Sequence, residues 1–471
     1  MELDPLLLSR VQFAFVVSFH AIFPVFTIGL ASYIAVLEGL FYKSGNPVYA
    51  ELSRFWTRIF AVIFGMGVVS GIVMAFQFGT NWSAFSMSSA NFLGPVLSYE
   101  VVTAFFLEAT FLGVLLFGRN KVPAGTHLFA AVMVALGTFI SSFWILSANS
   151  WMQTPAGVEL RDGMFFVTSW SEAIFNPSFW PRFFHMALAS FLTAGFVVAG
   201  VSAWFLLRGR AGETSHKALG MTVMLLAVIA PAQLVVGDLH GLNTFEHQPE
   251  KVAAMEGAWE TRQGAPLILF AIPDSANETN RFEIAIPKLA SLILTHELDG
   301  EVPGLTEWAP EDRPPMGIVF WSFRVMVAIG LLMIVVALTA LVQHLRGRLA
   351  ESTALLRVFT WMIPLPFIAV LAGWFVTDIG RQPWIVHGIL RTAEGVTPSL
   401  TGGMALFTLI GYVVVYAAIF TAGLYYLIRL IRRGPEALTE EHGESTGQPK
   451  RPWSAVDTPF DDDGLAPGGG R

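Results

Sequence analysis

Nine long apolar runs separate the polar segments of this 471-residue chain. Each run is long enough to cross a bilayer core of about 30 Å as an α-helix. The runs are continuous rather than alternating, which favours helices over the strands of a membrane β-barrel. The fold is therefore predicted to be an all-α polytopic membrane bundle of about nine transmembrane helices. The predicted spans are residues 13–41, 55–79, 94–117, 127–147, 183–207, 218–237, 317–341, 354–376 and 403–430.

The polar segments divide the chain unevenly. Residues 1–238 hold spans one to six, residues 239–315 form a large acidic loop, and residues 316–433 hold spans seven to nine. A loop of this length in a compact protein usually has a function. The tail 434–471 is rich in Gly, Pro and Asp and is predicted to be disordered, because it has almost no apolar content to bury.

Basic residues collect on one side of the predicted bundle. With nine spans the two termini lie on opposite sides, and the positive-inside rule places the C-terminus in the cytoplasm and the N-terminus outside. The acidic loop then faces outward. The basic side carries Lys43, Arg54, Arg58, Arg119, Lys121, Arg208, Arg210, Lys217, Arg346, Arg348, Arg357, Arg429, Arg432 and Arg433, whereas the short segments opposite carry Arg10, Arg161, Arg182, Arg381 and Arg391.

Composition limits the kinds of metal site and cofactor that the chain can hold. Charged residues make up 13% of the chain, about half the share usual in soluble proteins. Cysteine is absent, which excludes disulfides, thiolate-ligated haem and protein-ligated iron–sulfur clusters. The first run has no basic region before it and no small-residue cleavage site after it, so it is interpreted as a retained helix rather than a signal peptide. Any bound metal must be held by His, Met or carboxylate.

Several ionisable or metal-binding side chains lie in or at the ends of these runs. Charge at the bilayer centre costs roughly 2.5–3.5 kcal/mol on insertion scales, so such residues usually pair, ligate or move protons. With the predicted topology, the His, Met and Asp candidates all fall in the outer half. His with Met is a known axial pair for haem, and the lack of a C-x-x-C-H motif implies non-covalent haem. The residues are His20, Glu100, Glu108, His185, Arg324, Met326 and Asp378.

Each candidate also has a simpler interpretation. A lone His in a span often hydrogen-bonds a neighbouring helix, and a lone Met is usually core. Glu100 and Glu108 are about 12 Å apart along a helix and on neighbouring faces; they form either a proton ladder or pairs with a neighbouring helix. In the loop, Lys251 and Glu256 lie on a predicted helix and could be an exposed pair of little energetic value.

Four segments resemble subunit I of cytochrome bd-type quinol oxidases. Gly-Trp374-Phe-Val-Thr-Asp378-Ile-Gly-Arg381-Gln-Pro-Trp384 is the most specific of them. The others are Gly71-Ile-Val-Met-Ala-Phe-Gln-Phe-Gly-Thr-Asn-Trp82, Tyr99-Glu-Val-Val-Thr-Ala-Phe-Phe-Leu-Glu108 and Phe320-Trp-Ser-Phe-Arg-Val-Met326. The resemblance extends to about residue 430. The loop lacks the long insertion of some members, so it is similar to the short-loop, often cyanide-insensitive branch.

The resemblance implies three haems: a low-spin haem b, a high-spin haem b and a haem d, or a third b-type haem in its place. His185 and Met326 match the low-spin ligands, with Arg324 beside them, and His20 matches the ligand of one high-spin haem. Asp378 stands where the family usually has a haem-ligating Glu. Because Asp is one methylene shorter, either direct or water-bridged contact is expected.

The resemblance also implies how substrates are handled. Glu100 matches a carboxylate at the dioxygen-reducing site, Glu108 a proton-path residue, and Trp374 an aromatic between the haems, with Arg381 in the same motif. Lys251 and Glu256 take the quinol positions of the loop.

The expected activity is oxidation of membrane quinol by dioxygen to give water. It would generate a proton-motive force by charge separation without pumping. Expected partners are quinol, dioxygen, a second large subunit, a small single-span subunit and the lipid bilayer of a bacterial cytoplasmic membrane, with no nucleic acid. Two other functions stay open: a haem-free transporter with buried carboxylates, and a transmembrane haem electron carrier without oxygen chemistry.

Overall fold

The computed structural model describes residues 3–210 and 212–435. Within this part of the chain, nine helices are long and apolar enough to cross a membrane, which confirms the all-α polytopic prediction. They are Pro5–Ser44, Pro47–Thr80, Ala90–Phe117, Ala124–Gln153, Phe179–Leu207, Gly212–His247, Pro310–Leu345, Thr353–Ile379 and Gly402–Arg433. The predicted tail falls outside the described residues from position 436 onward.

Among the described residues, fifteen α-helices and one π-helical turn make up most of the fold. The π-helical turn, Val101–Phe105, lies between α4 and α5. In chain order the α-helices are α1 (Pro5–Ser44), α2 (Pro47–Thr80), α3 (Ser83–Ser88), α4 (Ala90–Glu100), α5 (Phe106–Phe117), α6 (Ala124–Gln153), α7 (Trp170–Ile174), α8 (Phe179–Leu207), α9 (Gly212–His247), α10 (Pro249–Glu256), α11 (Leu289–Thr295), α12 (Met316–Leu345), α13 (Thr353–Met362), α14 (Leu365–Ile379) and α15 (Gly402–Arg433).

Strands are short and confined to the segments between spans. They form four antiparallel pairs: β1 with β2, β3 with β6, β4 with β5, and β7 with β8. The longest pair, β4 with β5, is a hairpin in the acidic loop. The strands are β1 (Val158–Arg161), β2 (Met164–Val167), β3 (Arg262–Gln263), β4 (Leu267–Asp274), β5 (Thr279–Ile286), β6 (Glu301–Val302), β7 (Trp384–Val386) and β8 (Leu390–Arg391); short 3₁₀ turns are Leu305–Glu307, Pro310–Asp312 and Thr392–Gly395.

Helix α8 lies at the centre of the bundle and α15 at its edge. In their most apolar windows 78% of the α8 residues are buried, against 17% for α15. Small residues allow the close packing of α1 on α8: a Cβ added to Gly29 would lie 2.3 Å from the backbone oxygen of Ser190. Such small-residue contacts are typical of membrane helices, where backbone proximity replaces the hydrophobic drive.

The helices depart from the predicted spans in three places. The sixth span continues beyond 237 to His247, so the first part of the predicted loop is helical. The third span is interrupted by the π turn, and the eighth is divided between α13 and α14 just before Leu365, where Pro364 breaks the helix. In the loop, the predicted helix containing Lys251 and Glu256 is present as α10.

Candidate active site

His20 projects from α1 toward α2. Its Nδ1 lies 2.9 Å from the hydroxyl of Ser70, and that hydroxyl donates to the backbone oxygen of Gly67. Because the Ser70 hydroxyl donates its proton to Gly67, it must accept a hydrogen bond from Nδ1–H of His20. Nε2 of His20 then has a free lone pair. The ring also lies over Gly71, where an added Cβ would be 3.2 Å from Cε1. This tautomer, with Nε2 unprotonated, suits a metal ligand.

His185 lies in the first turns of α8 and faces α9. The amide nitrogen of Gln233 is 3.3 Å from both ring nitrogens, so it does not fix which of them carries the proton. The ring is 5.4 Å from the His240 ring, and a Cβ on Gly237 would lie 3.2 Å from it. His185 is thus surrounded by α9 residues while its coordinating atoms stay available.

Met326 faces a different helix. A Cβ added to Gly373 of α14 would lie 3.0 Å from its sulfur. Trp374 is the next residue, and its buried indole N–H has no hydrogen-bond partner in the described part of the chain. His185 and Met326 therefore have separate protein neighbours, one on α9 and one on α14.

Glu100 and Glu108 both face α6. Ser141 donates to Glu100 at 2.7 Å, and a Cβ on Gly137 would lie 2.5 Å from the Glu108 side chain. Gly137 and Ser141 are one turn apart on α6. Both carboxylates therefore contact α6, with the π turn between them, and the prediction that they lie on neighbouring faces of their own helix stays a prediction.

Asp378 uses a single oxygen for its protein contacts. Asn149 and Gln153 of α6 donate to Oδ1 at 3.2 and 3.4 Å. The Arg381 guanidinium is 3.7 Å from the same atom, too long for a charge-assisted hydrogen bond. Among the described residues Oδ2 has no partner, so Asp378 keeps an oxygen for another ligand.

Three cations lie near this carboxylate. Lys251 is 1% exposed and donates to Gln153 at 2.5 Å and to Gln248 at 2.7 Å. Burial lowers the pKa of Lys251 well below its usual value, and Arg182 and Arg381 add to this, whereas Glu250 and Asp378 oppose it. Burial likewise lowers the pKa of Arg381, with Asp378 opposing.

Both arginines are incompletely paired. Arg182 is 5% and Arg381 6% exposed. Nε of Arg182, and Nε and one terminal nitrogen of Arg381, are buried without a hydrogen-bond partner in the described residues. Unpaired buried guanidinium nitrogens are costly, which points to an anionic group that completes them.

We call the side chains at this end of the bundle the outer layer. It comprises His20, Arg182, His185, Lys251, Met326, Asp378 and Arg381. Sequence reasoning missed Arg182, which it counted only as an interfacial charge. It also missed His240, Asn149 and Gln153, which read as ordinary polar residues of helix ends. The sequence signal for Arg182 was its place three residues before His185 at the start of an apolar run.

Lys251 and Glu256 share α10 but not their surroundings. Glu256 pairs with Arg324 at 3.0 Å, and Arg324 also donates to the backbone oxygen of Ile268 at 2.6 Å. Glu256 borders a cavity of about 230 Å³ that the loop lines with Trp259 and other residues. Both α10 residues are buried, so the exposed-pair interpretation is wrong.

Comparison with known proteins identifies the family. The family described as "Cytochrome bd terminal oxidase subunit I" matches residues 8–435. The chain belongs to this family.

Individual relatives cover almost the whole chain. It is 35% identical to "Cytochrome bd-II ubiquinol oxidase subunit 1" of Escherichia coli (strain K12), over 93% of this chain and 98% of that protein. It is 36% identical to "Cytochrome bd ubiquinol oxidase subunit 1" of Bacillus subtilis (strain 168), over 92% and 95%. The solved "structure of bd oxidase from Geobacillus thermodenitrificans" has a TM-score of 0.85 at 32% identity, covering 92% of this chain and 100% of that one.

Membership of the cytochrome bd family implies haem, and the outer layer fits it. The described residues contain no cluster of three His, Cys, Asp or Glu that could hold a bare ion; a haem brings its own four nitrogens and needs only axial ligands. His20 and Met326 lie over glycines where a Cβ would crowd them. The unpaired arginine nitrogens suit the carboxylates that a haem carries. The chain is thus a multi-pass haem protein of the bacterial inner membrane.

Proposed function

We propose that this chain is the haem-bearing subunit of a terminal oxidase that oxidises membrane quinol and reduces dioxygen to water. Two quinols supply the four electrons, and four protons combine with dioxygen to give two waters. The observation that carries the proposal is the outer layer: Nε2 of His20, Oδ2 of Asp378 and several guanidinium nitrogens have no partner among the described residues. A haem-free transporter gives no reason for His20, Met326 and Asp378 to keep coordinating atoms free.

The residues that would hold the haems follow from these free atoms. His185 and Met326 would hold the low-spin haem b, and His20 would hold a high-spin haem. Asp378 would offer Oδ2 to the haem d, or to a third haem b, directly or through a water. When bound, the haems carry electrons singly and bind dioxygen.

The three arginines and the tryptophan in and near the outer layer would each have a different role. Arg182 and Arg381 would pair with haem carboxylates. Arg324, which stacks against Phe320 at 4.7 Å, would hold Glu256 toward the loop. Trp374 would fill the space between haems.

Quinol would bind at the outer loop. Support comes from the cavity of about 230 Å³ beside Glu256, which has room for a ring. Glu256 is placed to accept a quinol proton there. Lys251 lies outside that cavity among Gln153 and Gln248. Its task is therefore to hold the loop helix onto the bundle and to balance charge near Asp378, which refines the family role.

Protons would arrive from the cytoplasm past Glu108 and Glu100. Their shared face on α6, with the hydroxyl of Ser141 beside Glu100, provides neighbouring sites for a relay. Quinol protons released outside and water protons taken from inside separate charge without a pump. This orientation rests on the positive-inside rule, which puts the C-terminus in the cytoplasm. A second large subunit and a small single-span subunit would complete the enzyme in the membrane.

Oxygen uptake by the purified complete oxidase tests the proposal. Addition of ubiquinol or menaquinol should start uptake with water as product. Glu256→Ala should impair quinol oxidation while haem content stays normal. Lys251→Ala should also impair quinol oxidation, because it loosens the loop helix from the bundle. Full turnover and unchanged quinol affinity in both variants would show that the loop does not bind quinol. Absence of any quinol-dependent uptake would leave the electron carrier as the better function.

A further inference from the structure

A small basic cavity lies at the end of the bundle opposite the outer layer. Its volume is about 70 Å³. One water needs about 10–15 Å³ by this measure, so the cavity has room for about five water-sized atoms. A phosphate group has five heavy atoms. The cavity is therefore of the size of a phosphate.

Two helices supply the lining. Arg54, Thr57 and Arg58 of α2 line it, and their spacing puts them on one face of that helix. Arg119, just after the end of α5, closes the other side, and exposed Asn120 lies at the mouth. No acidic residue is among the described residues that line the cavity. Three arginine residues thus line one small space.

Arg119 is fixed in place from behind. Buried Glu38 and the hydroxyl of Ser53 accept its hydrogen bonds. Burial lowers the pKa of Arg119, Glu38 opposes this, and the positive charge of Arg54 lowers the pKa further. Arg54 is therefore close enough to repel Arg119 even though Glu38 is present. An anion between the two guanidinium groups would remove that repulsion.

The unpaired hydroxyl of Thr57 is a second and independent sign of a ligand in this cavity. It is 4% exposed, and its buried hydroxyl has no hydrogen-bond partner within the described part of the chain. Buried hydroxyl groups are nearly always paired, because an unpaired one keeps its desolvation cost. Thr57 is one of the residues that line the basic cavity, so a phosphate oxygen bound there would be a partner for its hydroxyl.

We infer that this cavity is a binding site for a phosphate group. Arginine forks match phosphate oxygens in pairs, and the Thr57 hydroxyl can donate a further hydrogen bond. The site lies about 10 Å along α2 from Pro47, near the start of the apolar run, at the level of lipid headgroups. Basic pockets between helices on the cytoplasmic side suit anionic phospholipids. The phosphate would come from such a lipid or from the free ion.

The test uses the complete oxidase in detergent and two probes. Inorganic phosphate is titrated by calorimetry at constant ionic strength. In parallel, phosphatidylglycerol or phosphatidylcholine is added and retained lipids are counted by native mass spectrometry. Arg54→Gln should weaken binding at least tenfold and Thr57→Val at least threefold. The control Arg346→Gln removes an exposed charge from the same membrane side and should change binding less than twofold.

The two probes separate the sources. Selective retention of phosphatidylglycerol without binding of the free ion assigns a lipid phosphate, whereas binding of the ion assigns free phosphate. If wild type binds neither probe, or if Arg54→Gln and Thr57→Val behave like Arg346→Gln, the site does not exist. Turnover is not a readout, so this result is independent of the quinol oxidase proposal.

Discussion

The two ends of the bundle bury charge in opposite ways. At the inner end, Glu38 is 2% exposed and is fully paired: Arg119, Ser53 and His127 all donate to its carboxylate. We call these four residues the inner cluster. In the outer layer, Arg381 is also buried, but two of its nitrogens have no hydrogen-bond partner among the described residues. Protein groups therefore offset the desolvation of the buried Glu38 charge at the inner end, whereas they offset that of Arg381 only in part.

This difference separates structural charge from functional charge. The saturated carboxylate of Glu38 fixes helices and has no oxygen left for a ligand, although Arg119 also borders the basic cavity. An unsaturated buried charge is costly unless a ligand completes it. The comparison therefore predicts that changes in the inner cluster affect stability, whereas changes in the outer layer affect haem and turnover.

The largest effect is expected at Glu38. Glu38→Ala leaves the buried charge of Arg119 uncompensated and removes the acceptor of His127, which should cost about 3–5 kcal/mol of stability. Thermal unfolding of the purified oxidase measures this, and Glu351→Ala, an exposed acid on the same side, is the control. Haem content per folded molecule should stay normal. Loss of haem in a Glu38 variant that unfolds normally would break the comparison.

Met326 is the matching position in the outer layer. Met326→Leu keeps the volume but removes the sulfur, so the low-spin haem signal should change or vanish and quinol-driven oxygen uptake should fall about 100-fold, or about 2.7 kcal/mol. The control Met333→Leu lies two turns along the same helix in the apolar core and should stay within twofold. An unchanged reduced-minus-oxidised spectrum in Met326→Leu would falsify the ligand assignment.

Glu108 extends the comparison into the bundle interior. Glu108→Leu should slow oxygen reduction about tenfold or more, because a positioned proton-transfer group is removed. Reduction of the low-spin haem by quinol should hardly change. Stopped-flow spectra and proton uptake separate the two steps. Normal turnover with normal proton uptake would mean that protons take another path.

Asp378 tests whether a free oxygen marks a ligand. Asp378→Glu, which restores the family residue, should keep pigment and activity, whereas Asp378→Ala should deplete the high-spin signal and lower uptake several-fold. Pigment content and oxygen uptake are the measurements. If Asp378→Ala keeps both, this aspartate is only a helix-end partner of Arg381.

The smallest effect is a pH dependence at Lys251. Its folded pKa lies below the unfolded value near 10.4, so between these two pKa values the unfolded chain binds the extra proton. Stability of wild type should therefore rise with pH in that window. Lys251→Met lacks this proton, so the difference in Tm between wild type and variant should move in favour of wild type from pH 7 to pH 10. A constant difference would show that Lys251 is charged when buried.

Sequence pattern was enough to predict the fold, and it also singled out the residues that we propose as ligands. His20, His185 and Asp378 stand out because a polar group in an apolar run is costly, and nine apolar runs give nine spans. The π turn could not be predicted, because Val101–Phe105 has no composition that distinguishes it from α-helix. Helix ends moved outward for a similar reason: polar residues such as Asn243 continue α9 beyond the apolar run.

The partners of the site depended on tertiary contacts. Asn149 and Gln153 reach Asp378 from more than 220 positions away, and their own neighbourhood gives no sign of it. Lys251 and Glu256 are close in sequence, yet the bundle buries one against α6 and the other against Arg324. Arg182 was ambiguous because an arginine at a span end usually reaches water.

The most direct test of the outer layer is the visible spectrum of the purified oxidase before and after quinol. We expect the bands of protein-bound haem, which quinol reduces and dioxygen reoxidises. Double substitution of His185 and Met326 by Leu should remove the low-spin bands and stop reduction by quinol. A colourless protein, or haem bands that survive this double substitution and still respond to quinol, would contradict the account.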